Sequence, residues 1–493
     1  MALLNTNIGP ERVQAFDVPL GTVQLPGTPT AVTGILISTS FVGAPVNSPT
    51  KVTNLADFEA SFGTADDILY DGYYAVQGFF DNAGNGNTAI IVNVGTSPTS
   101  SSWIGSASAG TGLRALDSED VLGLVAIPGL PLEQAYLVHS ALIDYTETVR
   151  AEFGATLSTS FSLLGIPKEI TKANTDVVQA ITAKFVSVSG TGPYVIQLDD
   201  GLGGPVNISA AKPGMLIKNV SGSFEAVISA VNDGTDQITI IQNPGANFSA
   251  GNDVLFYIPS AVTYKEFVVN NPSRVASWYF NNLIVVDRSS TASPGDLVSV
   301  DSTGHVAGVM ARIDSNISIG GPSHAPAGIQ FASIAGINGL SLVLSERLDA
   351  EPLRLNFINR ITSYPGSGNV IFGGYTADSG TSPSFTADEQ LIQVMRSLQF
   401  VKASLEQGLR GFLWENFSPE VQTQIERAIE SFLRNSIHLF PAGLPEAQQF
   451  RVVRVEPTQD ELDQGLLRVR VQLKPNKAVR FIEVALEFPL PTA

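Results

Sequence analysis

Cysteine is absent from all 493 residues, which removes disulfides, thiolate nucleophiles and Cys-based metal sites at once. Basic charge is scarce: 28 Lys and Arg stand against 46 Asp and Glu, for a formal net charge of −18. Phosphate binding needs clustered cations that release counterions, so this balance argues against direct nucleic-acid binding. Charge of either sign is thin, at 15% of residues where typical soluble domains carry about 25%. Much of the surface must therefore be neutral and polar, or covered by partners. No apolar run approaches the ~20 residues that cross a bilayer, so no membrane insertion is expected. Met1 to Pro10 lacks a basic stretch leading into an apolar one, and no secretory signal is expected. Hydrophobic residues nonetheless reach 44%, enough apolar side chain to offset the entropy of ordering the chain. The length predicts about three domains.

Patterns that carry chemistry are equally scarce. The four histidines are His139, His305, His324 and His438, and none has a second His or an acid at the spacing of a helical zinc motif. His139 falls on an expected helix and His438 near a helix end, where a solvated or capping role is the default. His305 and His324 stand nineteen residues apart in a Gly-rich stretch, so a shared metal is open to them but disfavoured. No GxSxG elbow surrounds a serine. Gly84-Asn-Gly86 and Gly201-Leu-Gly203-Gly204 lack the third glycine of the dinucleotide fingerprint, and no GxxxxGK(S/T) occurs. Both glycine runs read as tight turns. Asp66-Asp67 and Asp199-Asp200 read as solvated loop acids. The expectation is a protein without catalytic residues, cofactor or metal.

What is present is an alternation of strand and helix signals. The first forty residues, rich in Pro, Gly, Thr and Val, read as an extended arm entering a strand at Ile35–Val42. Helices are expected at Leu55–Phe62 and Asp71–Phe80, the second with Tyr73, Val76, Phe79 and Phe80 on one side. A strand follows at Ala89–Val94, then a low-complexity linker at Thr96–Gly112. Strand Val121–Ile127, helix Leu132–Phe153, strand Ala155–Ile166 and helix Ile170–Ile181 favour a sheet with helices packed on it. Short β-type runs between Ala183 and Pro259 predict a small all-β insertion. Beyond it, Val275–Tyr279 and Leu283–Val286 resume the alternation of helix and strand.

The C-terminal part opens with two amphipathic helices. Leu391, Val394, Leu398, Val401, Leu405, Leu409 and Phe412 form one stripe. Ser418-Pro419-Glu420 supplies a cap, a first-position Pro and an early acid for the second, whose apolar face runs through Val421, Ile425, Ala428 and Phe432. Strands close the chain: Leu467, Val469, Val471 and Leu473 share a face, as do Ile482, Val484, Leu486 and Phe488. A terminal strand this apolar needs pairing, either inside its own domain or by addition to a neighbouring subunit. Residues 387–493 hold 12 basic and 14 acidic side chains, against 16 and 32 in residues 1–386. The C-terminal fifth is nearly neutral and could face an acidic partner.

Several segments, taken in order, resemble the contractile tail sheath proteins of bacteriophages and related injection machines. Thr39-Ser-Phe41-Val-Gly43, Pro45-Val-Asn-Ser-Pro49 and Leu55-Ala-Asp-Phe58-Glu59 are similar to that family's N-terminal block. Tyr74-Ala-Val76-Gln-Gly78-Phe79-Phe80-Asp81-Asn82-Ala-Gly84 resembles its next helix and turn. Thr303-Gly-His305-Val-Ala-Gly308-Val-Met-Ala311-Arg312 resembles a PSGHVAGVYAR-type element, followed by His324-Ala-Pro326-Ala327. Asn356 to Gly366, Phe400 to Asn416, the Phe440–Phe450 link and the Asp460–Gly465 turn fit too. The resemblance covers roughly residues 30–180 and 265–490. Arg12-Val-Gln-Ala-Phe16-Asp17-Val18-Pro19 matches the family's PGVYVEE-like arm only loosely, and residues 183–259 are no part of its common core.

The resemblance implies a structural motor part of multidomain α+β or α/β class. Residues 1–30 would form an N-terminal arm, and 31–112 the N-terminal part of the sheath core with its linker. Residues 113–182 and 260–385 would form a middle α/β domain, interrupted by the β-rich insertion 183–259. Residues 386–493 would form a C-terminal sheath core domain ending in a β-arm. Copies would stack as rings around an inner tail tube protein, with baseplate and tail terminator proteins as further partners, in a virion tail assembled in the host cytoplasm. Val469, Val471, Ile482, Val484, Leu486 and Phe488 are the candidates for strand pairing between subunits. Lys402, Arg410, Arg427 and Arg434 are the basic candidates to face the tube. A headless contractile bacteriocin, a bacterial injection system, a β-rich surface protein and a hydrolase are the alternatives.

Overall fold

The computed structural model describes residue 25 and residues 27–151, 158–220, 224–268, 272–379, 383–415, 418–454 and 469–478. The expected arm, residues 1–30, lies almost wholly outside the described residues, as does the last strand with Ile482, Val484, Leu486 and Phe488.

The chain begins with β1 (Thr33–Thr39), β2 (Thr50–Val52), α1 (Leu55–Phe62), β3 (Ile68–Leu69), α2 (Gly72–Ala83) and β4 (Ala89–Asn93). Next come α3 (Ser100–Ile104), β5 (Leu124–Ala126), α4 (Leu132–Asp144) and β6 (Phe161–Gly165). Strands β7 (Val177–Ser189), β8 (Tyr194–Asp199), β9 (Leu216–Asn219), β10 (Glu225–Asn232), β11 (Gln237–Ile240) and β12 (Asp253–Ile258) follow. The body resumes with α5 (Ala261–Val268), β13 (Ala276–Phe280), β14 (Leu283–Val286), β15 (Leu297–Val300) and α6 (Thr303–Asp314). It closes with β16 (Gly339–Leu340), α7 (Glu351–Leu355), β17 (Ile358–Tyr364) and β18 (Gly368–Phe372). The remainder is α8 (Ile392–Gly408), α9 (Pro419–Asn435), α10 (Glu446–Gln449), β19 (Phe450–Arg454) and β20 (Val469–Leu473).

A nine-stranded sheet organises the larger of two compact units, with strand order β18-β17-β13-β6-β5-β1-β4-β2 and β3 paired to β1 off that path. The six strands from β17 to β4 run parallel, and β18 and β2 close the edges antiparallel. Every residue of β1 is buried, as a parallel strand covered on both faces requires. Alternation sends Ile35, Ile37, Ile91, Leu124 and Leu163 to one face, where Phe58 and Phe62 of α1, Phe79 of α2 and Val306 and Met310 of α6 cover them. Leu36, Ile90, Val92, Val125 and Leu164 point to the other, under Trp103 of α3, Val138 and Leu142 of α4 and Tyr264 of α5. The result is helix, sheet, helix.

Helices α2 and α6 meet at glycines. A Cβ on Gly78 would collide with the His305 ring, one on Gly304 with the backbone of Ala75, and one on Gly308 would lie 2.5 Å from the Phe79 carbonyl oxygen. The spacing Gly304-x-x-x-Gly308 puts both on one helix face, and the helices touch backbone to backbone there.

Strands β7 to β12 close into a barrel in the order β10-β11-β8-β7-β12-β9. Phe185, Ile196, Leu198, Ile217, Ile228, Ile238, Ile240 and Phe256 fill it, as side chains fill the interior of any small barrel. One carboxylate fastens its stem: Asp176 accepts from the Ser260 backbone N–H at 2.7 Å and from Lys218 Nζ at 2.8 Å. The barrel's first strand begins at Val177, six residues before the boundary expected at 183.

Several expectations need correction. Ile170–Ile181 is no helix; its second half enters strand β7, because Val177, Val178, Ile181 and Thr182 are β-branched and the strand pairs with β12 and β8. Thr96–Gly112 is no simple linker, since α3 lies in it and buries Trp103, whose Nε1–H donates to Gln134 at 2.9 Å. No layer boundary separates residues 31–112 from 113 onward, because β1 and β4 share one sheet with β5, β6, β13 and β17. The helix expected at Leu132–Phe153 is α to Asp144 and then a π turn at Tyr145–Val149. The split expected near residue 386 falls later: Leu391, Ile392, Val394, Met395 and Val401 are buried in the larger unit.

His139 is buried, not solvated. Its Nδ1 lies 3.0 Å from the Tyr264 hydroxyl, and its ring stands edge-on to Trp278. Burial holds the pKa of His139 near 3 and that of His305 near 4. Between pH 6.5 and about 4 the unfolded chain takes up protons at these rings that the folded protein refuses, so stability falls as pH falls. Asp301 acts oppositely: burial lifts its pKa to about 6, so the folded protein gains there on acidification. Each group contributes on the order of 3 kcal/mol, and two losses outweigh one gain. Urea midpoints should drop between pH 7 and pH 4. Asp301→Asn should be the more stable protein at pH 7, match the wild type at pH 4, and so show the steeper drop.

Candidate assembly surfaces

In doubly wound sheets, ligands sit beyond the carboxyl ends of the strands, where the strand order reverses. Here the reversal lies between β1 and β5. That space is filled. Residues 32 and 40 direct their backbone groups to the β5 side: Leu124 N–H donates to Val32 O at 3.0 Å, and Ser40 N–H donates to Asp67 O at 2.8 Å. Strand β3 therefore lies against β1 where the shorter β5 has ended, in register Ser38↔Leu69 and Thr39↔Ile68. Around it, Asp71 takes Lys168 Nζ at 2.7 Å and the Asp301 backbone N–H at 2.8 Å. A Cβ at Gly165 would strike the Asp301 carboxylate, so even the sheet's end is packed. The crevice that would hold a nucleotide in such a fold is occupied by protein.

The histidines do not converge either. His305 lies inside α6 against Gly78, while His324 Nδ1 lies 2.8 Å from the Ala325 carbonyl oxygen and its ring abuts Phe331. Among the described residues, no group of three or more His, Asp or Glu could hold a metal ion.

Chemistry gives way to surface in the smaller unit, which includes Ser404–Ile437 and Phe450–Leu473. The Ser418 side chain accepts from Val421 N–H at 3.2 Å and starts α9, with Pro419 at its first position. That helix buries Ile425, Ala428, Ile429, Phe432 and Leu433 and packs on β19. Strands β19 and β20 pair antiparallel, with Val452↔Val471 and Arg454↔Val469 opposite one another. Val469, Val471 and Leu473 are half-buried on one face, and Arg470 and Gln472 are exposed on the other. Among the described residues this sheet has only two strands, so each carries an edge without a ladder partner. Two-stranded sheets are marginal alone, and open edges recruit further strands.

Arg427 and Arg434 are seven residues apart on one side of α9, and Arg434 pairs with Glu430 at 3.3 Å. Arg410 is exposed in the 3-10 turn Leu409–Phe412, and Lys402 is half-buried on the part of α8 that belongs to the larger unit. The segment after that turn lies beyond the expected stripe. Phe412 continues the helical spacing in sequence, yet Leu413 and Trp414 turn out to solvent, Trp414 fully so and at φ +73. Three consecutive apolar residues where a helix ends were the available signal.

No family model and no curated protein matches the sequence. Solved structures match over nearly its whole length. A chain of the anti-feeding prophage (AFP) baseplate, 6-fold symmetrised, superposes with a TM-score of 0.60 at 15% identity, covering 98% of this chain and 100% of that one. A chain of the PVC sheath complex of an extracellular contractile injection system, in the contracted state, gives 0.60 at 13% identity, with 98% and 99% covered. A chain of the AFP helical sheath in the contracted state gives 0.59 at 15% identity, with 98% and 100% covered. The likeness at such identities is one of fold. The chain has a mixed α/β fold of the kind found in contractile injection system sheaths.

Proposed function

We propose that this chain is the repeating subunit of a contractile sheath, polymerising as stacked rings around an inner tube and shortening to drive that tube through a target cell envelope. The observation that carries the proposal is agreement of fold over 98% of the chain with subunits of two contracted sheaths. The filled switch-point crevice and low charge density support a structural role, since both suit a protein whose surface is spent on subunit contacts. In this proposal the C-terminal region is a core domain and both chain ends exchange strands with neighbours, using the edges of β19 and β20 that have no ladder partner among the described residues. Val469 and Val471 belong to that surface directly, and Ile482, Val484, Leu486 and Phe488 belong to the strand that completes it. Arg410, Arg427 and Arg434, with Lys402, are the side chains proposed to face an acidic inner tube protein. Baseplate and terminator proteins would cap the assembly, formed in a host cytoplasm as a virion tail or a free-standing injection machine.

Negative-stain microscopy of the purified protein tests this directly. Hollow, transversely striated tubes are the expected result, and a species that stays monomeric at high concentration overturns it. Truncation after Ala478 should leave a folded subunit that forms no tubes, because main-chain pairing through the arm joins the lattice. Intact tubes from the truncated chain would remove strand exchange from the mechanism.

A further inference from the structure

The passage from α2 to β4 carries three asparagines in six residues, Asn82-Ala83-Gly84-Asn85-Gly86-Asn87. The outer two are held. Asn82 Nδ2 donates to Gly78 O at 2.8 Å and to Ala335 O at 3.1 Å, and its Oδ1 accepts from Ala335 N–H at 2.8 Å. Asn87 Nδ2 donates to Ala83 O, and its Oδ1 accepts from the Ser315 hydroxyl at 3.1 Å. Asn85, between them, is exposed, and among the described residues no hydrogen bond holds its side chain or the Gly86 N–H. Gly84 and Gly86 lie at φ +74 and +87, and a Cβ on either would meet nothing within 4 Å. The centre of this turn is therefore open to rotation while both its ends are clamped.

Asparagine followed by glycine carries a latent reaction. The glycine backbone nitrogen can attack the side-chain carbonyl carbon of the asparagine, and with no Cβ beside that nitrogen nothing obstructs the approach. Closing the five-membered ring takes the asparagine backbone out of the extended region, so a strand resists it and an open turn permits it. The chain has two such pairs, and the fold treats them differently. Asn338, in Asn338-Gly339, is also exposed, yet its backbone is fixed. Its N–H donates to Ile284 O at 2.7 Å, Gly339 and Leu340 of β16 stand opposite Ile284 and Leu283 of β14, and Ser341 N–H donates to Asn282 O at 2.9 Å.

We propose that Asn85 is a self-modifying site, converting without an enzyme to isoaspartate and aspartate while Asn338 persists as asparagine. The Gly86 amide nitrogen loses its proton and bonds to Asn85 Cγ, the Cγ–Nδ2 bond breaks, and ammonia leaves. Water then opens the cyclic imide. Cleavage at the main-chain carbonyl leaves isoaspartate, and cleavage at Cγ leaves aspartate. Either product carries one carboxylate, lowering the net charge of −18 by one unit. Because the nitrogen must lose a proton, the conversion runs faster at alkaline pH. Asn82 and Asn87 keep α2 and β4 in place as the centre of the turn changes, so the altered fraction records the age of a folded chain. The reaction belongs to the single subunit and stands whether or not the protein builds a sheath.

The full chain held at about pH 9 and sampled over days, with its peptides read by mass spectrometry, tests this. Peptides containing Asn85 should gain one mass unit at least tenfold faster than peptides containing Asn338, while the circular dichroism stays unchanged. In urea, where turn and strand are both lost, the two rates should converge to within about threefold. Equal rates in the folded protein overturn the proposal. So does conversion of Asn85 that is tenfold slower folded than in urea, since the turn would then be holding the residue. A difference that survives in urea would trace to neighbouring side chains instead of the fold, and equally defeats the proposal.

Discussion

Asp314→Ala should cost the larger unit about 3–5 kcal/mol, the penalty for stranding a buried charge. Asp314 ends α6, where the helix carbonyls disfavour a carboxylate, and its position is secured by what surrounds it. Arg396, on α8, has a side chain only 2% exposed and donates to Asp314, to Thr30 O at 2.9 Å and to Gly123 O at 3.4 Å. Thr30 adds its own hydroxyl to Asp314 at 2.7 Å, and the guanidinium lies over the Phe161 ring at 5.9 Å. Three stretches far apart in sequence are thus pinned by one ion pair. Removing the carboxylate leaves the guanidinium without a counter-charge in the interior. The double variant Asp314→Leu with Arg396→Met should recover at least half of the loss, since an apolar pair avoids both desolvation penalties. Urea unfolding of the three proteins checks the order: wild type, double variant, then Asp314→Ala.

Gly304→Leu should be comparably damaging, with a loss of about 3 kcal/mol or more. A side chain there meets the backbone of Ala75, which cannot rotate aside as a flexible side-chain tip could, so α2 and α6 must part. Parting them exposes Phe79, Val306 and Met310, which belong to one core cluster. Gly339→Ala is the matched control, because an added Cβ there meets nothing within 4 Å, and it should stay within about 0.5 kcal/mol of the wild type. Equal effects at both positions would show that the helix crossing is looser than these contacts require.

Local signals placed many elements. Leu55–Phe62 and Leu283–Val286 were legible to the residue, the second as a short apolar run between turns; the first starts where the Asn54 side chain caps it, accepting from Asp57 N–H at 2.8 Å. Ser418-Pro419 marked the start of α9 for the same reason. Ile170–Ile181 failed because Ile170, Ala173 and Val177 mimic helical spacing, and only pairing with β12 decides for a strand. His139 failed because its burial depends on Tyr264 and Trp278, more than a hundred residues away. The plug formed by β3 was illegible throughout: two residues carry no periodicity, and their place follows from β5 being shorter than β1. Of the surface proposed for pairing, the alternation of Val469, Val471 and Leu473 was readable; the solvent-facing Trp414, two residues past the end of the α8 stripe, carried no such signal.

The barrel enters and leaves the chain at partnered residues, Val177 opposite Ile258. To the sheet behind it, some eighty residues therefore count as a single doorway, with β6 and β13 adjoining in the same register whatever lies beyond. A module hung on such a hinge post can lengthen or shrink at its outer loops while β6 and β13 keep their pairing. Having no open edge, it also cannot be drafted as a strand by another sheet, so its outer surface is free to diversify while the central sheet stays fixed.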